Sequence, residues 1–354
     1  MDKEFSRKII FMNFLYSIIM VCYHADADVH FSNIIQTGIW DKIAHQINQL
    51  FINSNGTYFF MMLSAFLLYR DLAEDNIGSK VRRRIKTLLI PWLIWNLIGM
   101  ISYHDFDKGI GYLLRNFIIS RFCGQLWFVE ALLFFLLFIP VFRWIFRIRY
   151  IREIFLTLVF VGGYLSVLFL RSADFFPSEI SRSEVIRVIA HVPVYCLGTY
   201  LGLNHAEFVM SEEYNSGHRI ASLIAACIIL IIPYVLSDNF IGYTFGTVKC
   251  IGVWIIFSKK YFTFEPKWWM QIPFYTYAIH NFVLYWEGKV IKLSGLFRSE
   301  FSSSTVTESF ALLWRLSLSA IAVILITISA KILIRFTPKF YELLSGGRVP
   351  RKHS

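Results

Sequence analysis

Long apolar runs separated by short charged clusters make up nearly the whole chain. A helix that crosses a bilayer needs about 20 mostly apolar residues, fewer if its ends snorkel or it is broken. Ten stretches fit: 9–23, 57–69, 88–103, 126–146, 154–170, 185–203, 220–237, 241–257, 272–286 and 310–334. The second is short and carries Ser64 and Ala65 at its centre, so a bent or re-entrant element stands beside a straight span for it. The pattern predicts an all-α fold: a polytopic integral membrane bundle of about ten transmembrane helices, forming one membrane domain over residues 1–354. No internal repeat, low-complexity tract or soluble domain is visible. The outer connection over 24–56 is the longest, and loops of that length often carry function.

Composition excludes a soluble globular protein. Of 354 residues, 56% are hydrophobic and 18% aromatic, while only 17% are charged. The 35 Lys and Arg against 24 Asp and Glu give a net charge of +11. In a soluble domain that excess would suggest nucleic acid. Beside apolar spans it is explained by basic cytoplasmic loops, and no nucleic-acid partner is expected. With the N-terminus inside, most of the basic residues fall in inner segments, including 70–86, 143–152 and the tail from Lys331. Both termini are therefore expected in the cytoplasm. Lys3, Arg7 and Lys8 before the first run mimic a signal peptide, but no small-x-small cleavage site follows, so a retained first helix is expected. Five scattered cysteines without a C-x-x-C pair imply neither a disulfide scaffold nor a zinc site.

Ionisable groups inside spans are costly, roughly 2.5–3.5 kcal/mol at mid-helix, and each is a functional candidate. Helical steps place Asn13, Ser17 and His24 on one face of the first helix, with Asn13 and His24 about 16 Å apart along it. A neutral imidazole there can take a proton from an alcohol; a histidine resting at the headgroup level is the plainer alternative. His24, Asp26, Asp28 and His30 alternate, which on a fixed strand would gather metal ligands. A hydrated loop explains them as well, and no metal is expected. The cluster Lys80, Arg82, Arg83, Arg84 and Lys86 reads either as a topological anchor on anionic lipid or as a phosphate-capturing site. Glu130, His191, Lys249, His280, Asn281 and Arg315, with Ser317 and Ser319 after it, are further polar candidates in spans. For each, an interhelical hydrogen bond or ion pair competes with a catalytic role.

Seven motifs in register resemble the membrane-bound acyltransferase 3 family, which includes bacterial O-acetyltransferases acting on surface polysaccharides and lipid-linked sugars. Val21-Cys22-Tyr23-His24 is similar to the family's opening helix with its essential histidine. Residues 58–68 resemble its F-F-x-x-S-G-F-L-L element, with Ala65 in place of glycine. Arg82-Arg83-Arg84-Ile85-Lys86 before Leu89-Ile90-Pro91-Trp92 resembles its basic loop and third-helix start. Leu126-Trp127-Phe128-Val129, the glycine-spaced run 191–202, Tyr277-Ala278-Ile279-His280 and the C-terminal Leu343-Leu344-Ser345-Gly346-Gly347-Arg348 complete the set. The chain departs from the family at Asn13, where members commonly carry arginine.

The resemblance implies a bacterial inner-membrane enzyme that moves acetyl from cytosolic acetyl-CoA to a hydroxyl of a carbohydrate or lipid-linked sugar. It implies His24 as general base or acyl acceptor, with Asn13, Ser64 or Arg315 holding the oxyanion. Glu130 and His280 join the candidate catalytic set. Arg83, Arg84 and Lys86 would bind the CoA phosphates, and Ser17 would line the path of the pantetheine arm. A transporter of a polysaccharide-related or small acidic substrate is the rival class, and an inactive scaffold is a third. Asn55-Gly56-Thr57 is a glycosylation sequon, incidental in a bacterium.

Overall fold

A computed structural model describes residues 2–25, 31, 33–52, 56–103, 109–118, 121–172, 182–235, 249–293 and 305–350. The helices are α1 Lys3–His24, α2 Ile39–Ile52, α3 Gly56–Tyr69, α4 Ile77–Tyr103, α5 Ile110–Ile118, α6 Trp127–Leu136, α7 Ile139–Arg147, α8 Arg149–Ser172, α9 Arg182–Asn204, α10 Ala206–Ser211 and α11 Arg219–Val235. They continue with α12 over 249–256, α13 Pro273–Leu293, α14 Glu308–Phe336 and α15 Pro338–Ser345. Among the described residues the fold is all-α apart from one parallel ladder, in which β1 Asn33–Ile35 pairs with β2 Thr305–Thr307. Four stretches of the described residues are long and apolar enough to cross a membrane: Lys3–His24, Ile77–Ser102, Ile110–Leu136 and Glu308–Phe336. The third is interrupted at Cys123, whose φ of −142° and ψ of 66° are not helical.

Three expectations need correction. The run 126–146 is two helices, because the chain turns at Leu137 and Phe138 and Pro140, in the first turn of α7, has no N–H to continue α6. The basic segment around Arg83 is the start of α4, not a loop. The connection 24–56 contains α2 and β1; α2 presents Ile39 and Trp40 outward, 70% and 75% exposed. Of the eighth expected span, 241–248 lie outside the described residues, and 249–256 are helical.

The chain forms two compact units. Unit 1 comprises Met1–Ile9, Thr57–Ile85 and Phe128–Glu265; unit 2 comprises Ile10–Gly56, Lys86–Trp127 and Pro266–Ser354. In unit 1, α3 and α9 meet through glycine. A Cβ on Gly198 would lie 2.3 Å from the Met62 carbonyl oxygen and 2.9 Å from the Ala65 Cβ, and one on Gly202 would lie 2.8 Å from the Phe66 oxygen. The small residues let the two backbones touch, and Gly198 leaves room for the Ala65 Cβ.

In unit 2, the C-terminal run anchors on α4. Gly346 takes φ +64° to end α15, and its N–H and that of Gly347 bond back to Leu343 and Glu342 carbonyls. A Cβ at Gly346 would lie 2.1 Å from the Thr87 oxygen. Arg348 donates to Thr87 and Ser345 carbonyls, and the Trp95 indole donates to the Leu344 carbonyl at 3.0 Å.

The ladder and α2 cover the start of α14. The Thr37 N–H and hydroxyl donate to Asp41 Oδ2, while the Ser309 N–H and hydroxyl donate to Asp41 Oδ1 at 3.1 and 2.6 Å. One carboxylate thus satisfies donors at the N-terminus of α14. Those bonds, led by the Ser309 and Thr37 hydroxyls, hold the Asp41 carboxyl well below the usual carboxylate range.

Candidate functional site

In unit 2, α1 ends in His24, a half-buried side chain whose ring lies 4.9 Å, centroid to centroid, from that of His280 on α13. Tyr23 packs edge-on against the His24 ring at 4.7 Å. His280 is fully buried. Its Nδ1 donates to the Tyr277 carbonyl at 2.6 Å, which fixes the tautomer and leaves Nε2 as a lone-pair nitrogen. Among the described residues that Nε2 has no hydrogen-bond partner. A buried acceptor left open is rare, because the missing bond costs about 1–3 kcal/mol.

Gln125 braces this turn of α13. Its side-chain amide donates to the Ala278 carbonyl at 2.8 Å and accepts from Asn281 at 3.0 Å, while the Tyr277 hydroxyl donates to its backbone carbonyl. The turn carrying His280 is therefore gripped on both sides of the histidine. Asn281 and the Tyr277-Ala278-Ile279-His280 motif stand out in the sequence, whereas Gln125 does not. The available signal was Gln125 standing directly before the Leu126-Trp127-Phe128-Val129 motif.

Arg315 on α14 is 2% exposed and lies within electrostatic reach of Cys22, two residues before His24. Ser319, one turn on, lies near the Cys22 side chain and donates to the Arg315 carbonyl at 2.7 Å. The C-terminal turns of α1 thus meet α13 through His24 and α14 through Cys22. Ser17 is buried with its hydroxyl donated to the Phe14 carbonyl at 2.7 Å. Asn13 is half-buried.

Unit 1 holds other candidates. Arg84 turns inward, its guanidinium 3.4 Å from both the hydroxyl and the carbonyl oxygen of Ser64. In that contact Arg84 donates and the Ser64 hydroxyl accepts. Arg83, in the same unit, is exposed on α4, as is Lys86 of unit 2. Glu130 is half-buried in the first turn of α6. The His191 Nε2 lies 2.9 Å from the Thr57 hydroxyl, and its ring packs 4.1 Å from that of Tyr58. Lys249 is buried on α12.

Asp26, Asp28 and His30 lie outside the described residues. Among the described residues no three His, Cys, Asp or Glu side chains gather as metal ligands. A family model described as an acyltransferase domain matches residues 9–335, nearly the whole chain. No curated protein and no solved structure matches the chain.

Proposed function

Since the chain belongs to the acyltransferase 3 family and is therefore a membrane acyltransferase, we propose that it moves acetyl from cytosolic acetyl-CoA to a hydroxyl of a surface polysaccharide or lipid-linked sugar. The observation that carries this reading is the His24–His280 pair, with ring centroids 4.9 Å apart at the end of the first membrane helix. His24 acts as general base: it takes the proton of the acceptor hydroxyl as that oxygen attacks the thioester carbonyl. The carbonyl passes through an oxyanion, the C–S bond breaks, and the leaving thiolate recovers the proton from His24, giving the acetyl ester and free CoA. His280, anchored through Nδ1, offers Nε2 to a His24 N–H and so orients the His24 ring with its other nitrogen toward the acceptor. Arg315 is the buried cation on this side of α1 and serves the oxyanion.

Arg83 and Lys86 supply exposed charge for the CoA phosphates, while Arg84, bonded to Ser64, supports the helix that carries them. The reading places ten spans in a bacterial inner membrane with both termini in the cytoplasm, consistent with the basic start of α4. The test is transfer of radiolabelled acetyl from acetyl-CoA to membrane glycans by the purified chain in nanodiscs. Labelled ester sensitive to mild alkali supports the proposal. Substrate movement across the bilayer without any label transfer supports a transporter and removes the proposed chemistry.

A further inference from the structure

Within unit 2, α13 and α14 flank a groove of about 580 Å³ lined by Ile279, Phe282, Val283, Val290, Ile321 and Leu325 together with Trp286, Ile291 and Ser329. That volume lies in the range of ligand pockets, roughly 300–1,000 Å³. Its lining is apolar with one charged exception, Glu287. Both carboxyl oxygens of Glu287 are shielded from solvent, and among the described residues neither has a hydrogen-bond partner. The nearest cation along the helix, Lys289, is engaged elsewhere, its ammonium 4.6 and 4.8 Å from the ring centroids of Tyr285 and Trp286. A carboxylate in an apolar groove without donors is strongly disfavoured, so its occupant must bring a donor and, for the ionised form, a positive charge.

We propose that this groove binds an aminophospholipid, with the ethanolamine ammonium on Glu287 and an acyl chain along the apolar lining. The chemistry discriminates among bilayer lipids. A primary ammonium brings three N–H donors and a full charge to the carboxylate. A choline headgroup has the charge and no N–H. A glycerol headgroup has O–H donors but carries a net negative charge, which Glu287 repels. The exposed Tyr285 and Trp286 beside it are the aromatic types that sit at the headgroup level of a bilayer. This site is independent of acetyl transfer, since none of its residues belongs to the His24 pair.

The full chain, delipidated in detergent, is offered dioleoyl lipids that differ only in headgroup, and retention is read by native mass spectrometry. Phosphatidylethanolamine should be retained about tenfold over phosphatidylcholine and over phosphatidylglycerol. In Glu287→Gln that preference should fall to about even, with acetyl transfer unaffected. Equal retention of ethanolamine and choline lipids by the wild-type chain would overturn the proposal without recourse to any variant. So would a preference that survives in Glu287→Gln.

Discussion

The two ends of α1 hold buried polar side chains that differ in one respect. Near its start, Lys8 is fully buried and fully partnered: its ammonium bonds Glu212, donates to the Trp254 carbonyl at 2.7 Å and lies 3.7 Å from the Trp254 ring centroid. Glu212, in a left-handed conformation at φ 57°, also accepts from the Ser258 hydroxyl and the Lys259 N–H at 3.0 and 2.8 Å. At the other end, His24 faces a histidine whose Nε2 is left open. A network with every valence filled holds the fold, whereas an open nitrogen beside a second imidazole can accept that ring's N–H and orient it toward a reacting group. Both ends set polar groups against apolar packing, and partner counting separates them.

If that distinction holds, Lys8→Met should destabilise unit 1 by roughly 3–5 kcal/mol, because it strands a buried carboxylate. Adding Glu212→Gln should recover part of the loss, and thermal melting of both variants measures it. The corresponding change at the other end, His280→Ala, should leave melting nearly unchanged and lower the acetyl-transfer kcat about ten- to hundredfold, as loss of an orienting partner does. Gln125→Leu should reproduce a milder form of it.

Smaller effects sharpen the same contrast on α4. Arg83→Ala with Lys86→Ala should raise KM for acetyl-CoA several-fold while leaving KM for the acceptor alone. Arg84→Ala should instead lower the melting temperature, as expected of a group bonded to Ser64. Smallest is the Asp41 effect. Its carboxyl is held low in the folded chain, so its stabilisation is fully present above the unfolded carboxyl value of about 3.9. It is lost as pH falls below that toward the lower folded value. Asp41→Asn should therefore melt earlier than wild type at pH 7, and the gap should close on acidification.

Hydrophobic pattern alone located the helical segments, since apolar runs are the strongest signal a membrane chain carries. It misjudged continuity where local chemistry decides: Pro140 splits one run, and α4 extends backward through the basic cluster because Lys and Arg are good helix formers. The helix hidden in the outer connection was missed because α2 is short and amphipathic. At the site, His24, His280 and Arg315 were legible as ionisable residues in apolar helices. Their pairing was not, because it depends on which helices pack together. Gln125 escaped notice for the same reason: it lies 153 residues from the carbonyl it binds. Lys8 was read as a topological charge, since nothing near it in sequence announces Glu212.

The central claim is that the open pair at the end of α1 is where acyl transfer occurs. Its most direct measurement is acetyl-CoA turnover by purified His24→Ala beside wild type in nanodiscs, with melting recorded on the same samples. Turnover should fall by at least about a hundredfold, the low end of what general acid–base catalysis contributes, while melting stays within a few degrees. Turnover near the wild-type level in a folded His24→Ala would contradict the account.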